Sequence, residues 1–311
     1  VCNSQPTTVS YGTVNAGGTT VYTWTNSLPA IGLPATGTGN ISFNAVNNGT
    51  APIVATIVVT PTFTNAGVSC SGPAKTYTIT VNPSAQVNQP TSQVVCNGDA
   101  TTAITFTTNN GGGSTIYSWT NSNPGIGLAA TGTGGIASFT ATNNGTSPVV
   151  ATIVVTPTFT NGGAGCPGST KTFTITVNPT AQVIQPANQV VCNGATTSTI
   201  TFTTNNTGGS TAYNWINSNA GIGIAASGTG DIASFTAINN GTSPIVATIV
   251  VTPIFTNAGI TCNGPTKSFT ITVNPTAQVI QPVSLVVCNS QPTTVSYGTV
   301  NAGGTTVYTW T

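Results

Sequence analysis

The sequence predicts an all-β fold, a tandem array of small antiparallel β-sandwiches. Three observations carry that expectation. PIVATIVVTPTFTN at residues 52–65 returns as PVVATIVVTPTFTN at 148–161 and as PIVATIVVTPIFTN at 244–257. In the middle copy Val149, Ala151, Ile153, Val155 and Phe159 fall on one face and Val150, Thr152, Val154, Thr156 and Thr158 on the other. That period of two, rich in β-branched residues, marks a half-buried strand. The whole chain is also periodic: Cys2, Cys96, Cys192 and Cys288 mark one register at steps of 94, 96 and 96 residues. A period of that size is a small domain able to bury its own core, far longer than one rung of a solenoid. Finally, no segment sustains a helical period.

The second repeat, residues 83–178, shows the elements in order. Pro83 to Cys96 reads as a linker and a broken first strand, with Pro90 interrupting the ladder as an edge position allows. Asn97-Gly98 is a turn pair. Thr101 to Thr108 is the second strand, with Ile104 and Phe106 on one face, and Asn109 to Gly113 is a Gly-rich loop. Thr115 to Asn121 is the third strand, on which Tyr117 and Trp119 share a face. Residues 123–134 are irregular, with room for a short edge strand, and Ile136 to Thr142 is the next strand. The turn Asn143-Asn144-Gly145-Thr146 leads into the long strand, and the loop 161–170 carries Cys166. Lys171 to Val177 closes the unit with Phe173, Ile175 and Val177 inward. Six or seven strands with turn signals between them, and a Trp on the third (Trp24, Trp119, Trp215, Trp310), point to a sandwich of immunoglobulin type, with a closed barrel as the alternative.

The expected domains are therefore 1–82, 83–178, 179–274 and the start of a fourth at 275–311, the last because residues 287–311 repeat residues 1–25 letter for letter. Val1 is not an initiator and Thr311 stops in mid-strand, so a longer array is expected at both ends. No signal peptide or membrane span is legible in these residues.

Composition excludes several function classes. The charged residues are Lys75, Lys171, Lys267, Asp99 and Asp231, with no Arg, Glu or His. Nucleic-acid binding needs basic phosphate contacts that this chain lacks. Calcium sites need several carboxylates, and two isolated Asp do not supply them, so no metal or cofactor is expected. A catalytic Ser or Thr needs an activating base, and none is present except Lys at the entrance of each last strand, where a solvated charge discourages edge-to-edge pairing. No catalytic residue is assigned and the chain is not expected to be an enzyme. A Lys–Asn isopeptide bond would need a carboxylate at a constant position, which no repeat offers. Sequons at Asn40, Asn48, Asn144, Asn205 and Asn240 include three Asn-Gly-Thr turns that turn chemistry explains. Rows such as Thr172, Thr174 and Thr176 suit a solvated strand face. The Gly-rich loops precede strands, so phosphate binding, which needs a helix N-terminus, falls.

The pattern V-C-N-G, then Y-x-W, V-T-P, a Cys in the last loop and T-x-T-V-N-P resembles the PKD-like repeats. These are immunoglobulin-like β-sandwiches that occur in very large secreted surface proteins of Bacteroidota, including gliding-motility adhesins and other cargo of the type IX secretion system. The first repeat departs from the pattern with Cys2-Asn3-Ser4-Gln5-Pro6. The resemblance implies an extracellular, cell-surface location and a stalk or adhesin shaft, and it transfers no catalytic or ligand residues.

Two cysteines per repeat and no His favour disulfides in an oxidising compartment. Two pairings are open. Within repeats they are Cys2–Cys70, Cys96–Cys166 and Cys192–Cys262. Across repeats they are Cys2–Cys166 and Cys96–Cys262, with Cys70, Cys192 and Cys288 bonded to other repeats or free. The first Cys follows a strand running to the far end of its domain, and the second lies in a loop at the entry end. A strand length of roughly 25 Å at about 3.3 Å per residue then separates two cysteines of one repeat, too far for a bond. Strand direction favours the cross-repeat set; a bulged or shortened first strand would restore the other.

The expected function is structural: the shaft of a surface filament or adhesin. Its partners are neighbouring repeats of the same chain, and nearly uncharged β-surfaces would also let shafts associate laterally into fibres. The alternative is a module gripping carbohydrate or another surface through its inter-strand loops. The sequence names no such ligand.

Overall fold

A computed structural model describes residues 1–311. The regular elements are strands, joined by turns and by three one-turn 3-10 segments, Pro29–Ile31, Pro124–Ile126 and Ala220–Ile222. The third repeat shows the arrangement completely. Its main sheet runs in the order Gln189–Cys192, Lys267–Asn274, Ile245–Asn257, Ser210–Asn217 and Ser227–Thr229, with Ile260–Asn263 hairpinned onto the end of the long strand. The second repeat has the same order, and in the first the long strand Ile53–Asn65 again carries Thr19–Asn26, Val68–Ser71 and Lys75–Val81. The fold is a tandem array of immunoglobulin-like β-sandwiches.

Alternation along the strands builds the cores. Trp119 faces Val155 on the long strand and Gly132 on the short edge strand Thr131–Thr133. A Cβ at Gly132 would collide with the Trp119 indole, so the edge strand carries glycine there because the ring lies flat over its backbone. Trp119, Phe106, Ile153, Val155, Phe173 and Ile175 are all buried, as the strand phases predict. The first repeat gathers Trp24, Ile41, Ile57 and Ile79 into one core and the third gathers Trp215, Ile232, Ile249 and Ile271.

Three expectations change in detail. The strands expected over 101–108 and 136–142 are extended segments joined only at the bridges Ala100↔Thr140 and Ile104↔Ile136. Between those bridges side chains take over the bonding: Phe139 N donates to Thr101 Oγ1 at 3.1 Å and Ser138 Oγ to Thr101 O. The first repeat keeps a regular ladder there, Pro6–Val9 against Ile41–Asn44. The loop over 161–170 is partly a hairpin, with Cys166 on a strand opposite Phe159. The first strand is not antiparallel: Gln189–Cys192 runs parallel to Ile271–Asn274, which sets Cys192 beside Asn274 at the C-terminal end of the last strand.

The departure at Cys2-Asn3-Ser4-Gln5 preserves its turn. Ser4 adopts φ 63° where Gly98 and Gly194 adopt 87° and 81°. Gln5 N donates to Cys2 O, as Ala195 N does to Cys192 O.

The chain divides into two compact units. One holds Val1–Gln93, Asp99–Ala141 and Val150–Thr176; the other holds Val94–Gly98, Thr142–Val149 and Val177–Thr311. The join between the first and second repeats lies wholly in the first unit. Those between the second and third and between the third and fourth lie wholly in the other.

Candidate functional site: the joint between successive repeats

The chemistry-bearing residues of this chain meet where one repeat hands over to the next. In the first joint Cys2 is bonded to Cys166 with Cα atoms 5.4 Å apart, and in the second Cys96 is bonded to Cys262 at 5.6 Å. Each bond connects the first Cys of one repeat to the second Cys of the following one. Cys70, Cys192 and Cys288 are free and exposed.

The bond sits on an apolar plug. Phe159, from the end of the long strand, packs with Cys166, Ala85 and the partly buried Cys2. Phe159 and Cys166 are both 0% exposed, and Phe255 and Cys262 repeat the arrangement at 0% and 2%. In the first repeat the corresponding Phe63 is only half-buried and Cys70 is exposed. Identical strand ends are thus closed off only where a preceding repeat meets them. Close approach demands one glycine: a Cβ at Gly168 would strike the Ala85 backbone, and one at Gly264 the Ala181 backbone.

Asparagines encircle the plug. Asn82 Nδ2 donates to the Asn161 carbonyl at 3.0 Å, and Asn161 Nδ2 donates to Asn82 Oδ1 at 3.0 Å. The second joint repeats this with Asn178 and Asn257, at 3.3 and 2.9 Å. On the other side, Asn110 Nδ2 donates to Thr50 O and Ser84 O, both at 3.2 Å, while its Oδ1 accepts from Gln86 N at 2.6 Å. Gly111 N also donates to Thr50 O, at 2.9 Å. Asn206 and Thr207 treat Thr146 alike, as Asn301 and Ala302 treat Thr242.

Thr50, Thr146 and Thr242 end the Asn-Gly-Thr turns. A buried asparagine holds each turn in place: Asn143 Nδ2 donates to Ser147 O at 2.9 Å and Val177 O at 2.7 Å, and its Oδ1 accepts from Gly145 N at 2.9 Å. Turn chemistry explains the Asn and Gly, as the sequence suggests, but the carbonyl of the following Thr serves the next repeat.

Among the charged residues, Lys75, Lys171 and Lys267 are exposed at the first position of each last strand. Asp231 Oδ1 accepts from Phe202 N at 2.8 Å, tying together segments 29 residues apart, a role that Asn40 fills toward Tyr11 N at 2.9 Å in the first repeat. No three of His, Cys, Asp and Glu come together as a ligand set, and no helix is long and apolar enough to cross a membrane. Burial raises the phenol of Tyr77, helped by its hydrogen bond to Tyr11, and burial likewise raises Tyr117 and Tyr213.

The joint asparagines were invisible to motif reading. Their signal is positional: Asn82, Asn178 and Asn274 stand in V-N-P, Asn65, Asn161 and Asn257 end the long strand, and Asn15, Asn110, Asn206 and Asn301 hold one loop position.

No protein-family model matches the chain, and no curated protein does. Among solved structures, three N-terminal domains of the outer capsid protein Hoc of bacteriophage RB49 are similar at 14% identity and a TM-score of 0.40, covering 88% of this chain and 95% of that one. Titin domains I67–I69 are similar at 8% identity and 0.42, covering 89% and 94%. Mouse protocadherin-24 EC1-3 is similar at 11% identity and 0.33, covering 82% and 90%. These chains share too little with this one for function to be carried across.

Proposed function

We propose that the chain is a non-catalytic mechanical element, the shaft of an extracellular surface filament or adhesin. Its sandwich domains are 83–178 and 179–274, flanked by 1–82 and the start of another at 275–311. The carrying observation is the joint. At each complete handover the same disulfide, apolar plug and asparagine bracket tie the far end of one repeat to the near end of the next. A covalent bond and several hydrogen bonds that each span repeats resist bending at the place where a chain of domains is weakest. The buried Phe159 and Phe255 pack under the Cys166 and Cys262 ends of the bonds.

Disulfides of this kind form in an oxidising compartment, which supports secretion. A chain without His, Glu or Arg has little to offer acid–base catalysis and much to offer a scaffold. The likeness of its motifs to PKD-like repeats supports a place among large surface proteins of Bacteroidota, delivered by type IX secretion and akin to gliding-motility adhesins.

Small-angle scattering of the oxidised chain tests the reading. A rod is expected, each domain adding roughly 35–45 Å for strands of 10–12 residues. A compact globule would overturn the shaft.

A further inference from the structure

The joint bonds skip cysteines. The chain between Cys2 and Cys166 contains Cys70 and Cys96, and that between Cys96 and Cys262 contains Cys166 and Cys192. The two bonds interleave, because Cys96 lies inside the first loop and Cys166 inside the second. Neither bond joins cysteines that are neighbours in the sequence.

The nearer partners are the wrong ones. Cys70 stands 68 residues from Cys2 and Cys262 stands 70 from Cys192, against native separations of 164 and 166. The free-energy cost of closing a flexible loop grows as 3/2 RT times the logarithm of its length, so an unfolded chain closes the shorter loop roughly four times as often.

A folded repeat cannot hold either short bond. In the third repeat Cys192 lies beside Asn274, and the preceding Val273 pairs with Ile245 at the start of the long strand. Cys262 pairs with Phe255, ten residues further along that strand. The first repeat repeats the layout: Cys2 bridges to Asn82, Val81 pairs with Ile53, and Cys70 pairs with Phe63. Ten residues of strand span roughly 33 Å at about 3.3 Å each, whereas a disulfide holds its Cα atoms within about 7 Å. A repeat carrying the short bond cannot seat its first strand beside its last. Oxidation of the unfolded chain therefore favours bonds that block the fold.

We propose that a thiol–disulfide isomerase is a partner of this chain in its maturation, and that the within-repeat bonds Cys2–Cys70 and Cys192–Cys262 are its substrates. The isomerase thiolate attacks Cys262 Sγ and expels Cys192 as a thiolate, which takes a proton from water. The Cys96 thiol gives up its proton, and its sulfur attacks Cys262 Sγ in the mixed disulfide. Cys96–Cys262 forms and the isomerase thiolate leaves, so one disulfide replaces another with no net oxidation. Phe255 stands opposite Cys262 and Phe63 opposite Cys70, an aromatic ring that an apolar cleft beside the enzyme's reactive thiol would hold. In the closed joint Phe255 is 0% and Cys262 2% exposed, so the finished bond is withdrawn from further attack at that sulfur and the exchange runs one way. The chain is poorly equipped to reshuffle itself. Thiolates are favoured by neighbouring cationic groups and helix N-termini, and this sequence has no His or Arg and forms only one-turn 3-10 segments. The proposal rests on the pairing in the joint and on no property of the shaft, so the scattering result above can fail without it.

The test is oxidative refolding of the full 311-residue chain, reduced and denatured, then diluted into an oxidised/reduced glutathione buffer with or without a catalytic amount of a disulfide isomerase. Non-reducing peptide mapping reads the bonds over time. Without the isomerase, Cys2–Cys70 and Cys192–Cys262 peptides should dominate early and give way slowly. With it, Cys2–Cys166 and Cys96–Cys262 should appear at least tenfold faster. A dithiol oxidase in its place should speed the first bonds and leave the native ones slow. A chain carrying Cys2→Ser, Cys70→Ser, Cys166→Ser and Cys288→Ser keeps only Cys96, Cys192 and Cys262 and should depend on the isomerase as strongly. Adding Cys192→Ser should remove that dependence. Native bonds that form at the same rate without the isomerase overturn the proposal, as does a two-cysteine chain no less dependent than the three-cysteine one. An early map without the within-repeat peptides overturns it too, because folding of each repeat would then precede oxidation.

Discussion

Asn82 and Asn161 hold each other across the first joint, each side-chain amide donating to the other residue at 3.0 Å. Asn82 is 1% exposed, so water cannot replace a partner that is removed. Asn161→Ala should cost about 1–3 kcal/mol, the usual penalty for orphaning a buried polar group. Asn65 is its counterpart in the first repeat and is exposed, so Asn65→Ala should be close to neutral in dilute solution. Urea unfolding of the two variants side by side reads the worth of the joint bracket; equal losses would show that it contributes nothing.

Phe159 and Phe63 make a second matched pair. Both end the long strand and both face a Cys across the hairpin, yet Phe159 is fully buried and Phe63 only half. Phe159→Ala should therefore cost roughly 3–5 kcal/mol and Phe63→Ala markedly less. The difference belongs to Cys2 of the preceding repeat and to Ala85 at the entry of Phe159's own repeat, which line the plug. Thermal unfolding followed by tryptophan fluorescence checks it.

These pairs also mark the limit of what the sequence reveals. Period-two alternation suffices to bury Trp119, Ile153, Val155 and Phe173, because a strand with one apolar face has one way to lie. It does not distinguish Val155, buried inside its own repeat, from Phe159, buried by its neighbour. Both sit on the same face of one strand. The asparagines were harder still. In a chain full of Asn-Gly turns, Asn82 and Asn110 look like turn residues, and their partners lie 79 and 60 positions away. Only side-chain geometry separates an asparagine that makes a turn from one that grips the next domain. The segments 101–108 and 136–142 read as full strands because nothing in the letters says that Thr101 and Ser138 hydroxyls will take up part of the ladder.

Left-handed backbone at non-glycine residues marks sites of stored strain. Ser4 has φ 63° where the second and third repeats have glycine. Ala258 has φ 48° in a hairpin turn where the second repeat has Gly162 at 58°. An L-residue there costs about 1–2 kcal/mol, part of which glycine's larger unfolded-state entropy offsets. Ser4→Gly and Ala258→Gly should each stabilise by roughly 0.5–1 kcal/mol, read as a higher unfolding midpoint. A lower midpoint would mean that the hydroxyl or methyl makes a contact outweighing the strain.

Stability should be nearly flat across the neutral range and fall in alkali. With three Lys, two Asp and no His or Glu, few groups titrate between about pH 5 and 9. Tyr77, Tyr117 and Tyr213 have phenols raised above the ordinary 10.0, in each case chiefly by burial. A folded value above the unfolded one means that the fold favours the neutral phenol. The stabilisation is complete below the unfolded value and is lost as pH rises past about 10. Urea midpoints from pH 7 to 11.5 should therefore drop only above about pH 10, and Tyr77→Phe should shallow that drop.

Pulling the chain by its ends distinguishes joint bonds from ordinary intradomain ones. Cys2–Cys166 closes 164 residues and Cys96–Cys262 closes 166, and the two loops overlap. A taut chain runs from Cys2 across its bond to Cys166, back along residues 166–96 and across the second bond from Cys96 to Cys262, so only the 70 residues shared by the two loops bear tension. The pair together therefore hides all of the chain between Cys2 and Cys262 except that shared stretch. The oxidised chain should fall short of the reduced one by 190 residues, the 260 between Cys2 and Cys262 less those 70, or roughly 650 Å at about 3.4 Å each. Bonds within repeats would instead close three separate loops of 68, 70 and 70 residues, a shortfall of roughly 700 Å. Neither joint bond lies in the core clusters around Trp24 and Trp215, so reduction should leave those cores folded at low force. It should remove the coupling between them, up to about 5 kcal/mol per bond in the chain-entropy limit. Single-molecule extension with and without a phosphine reductant measures both quantities. A shortfall near the larger length would put the bonds inside repeats and leave the joints to the asparagines and the apolar plug.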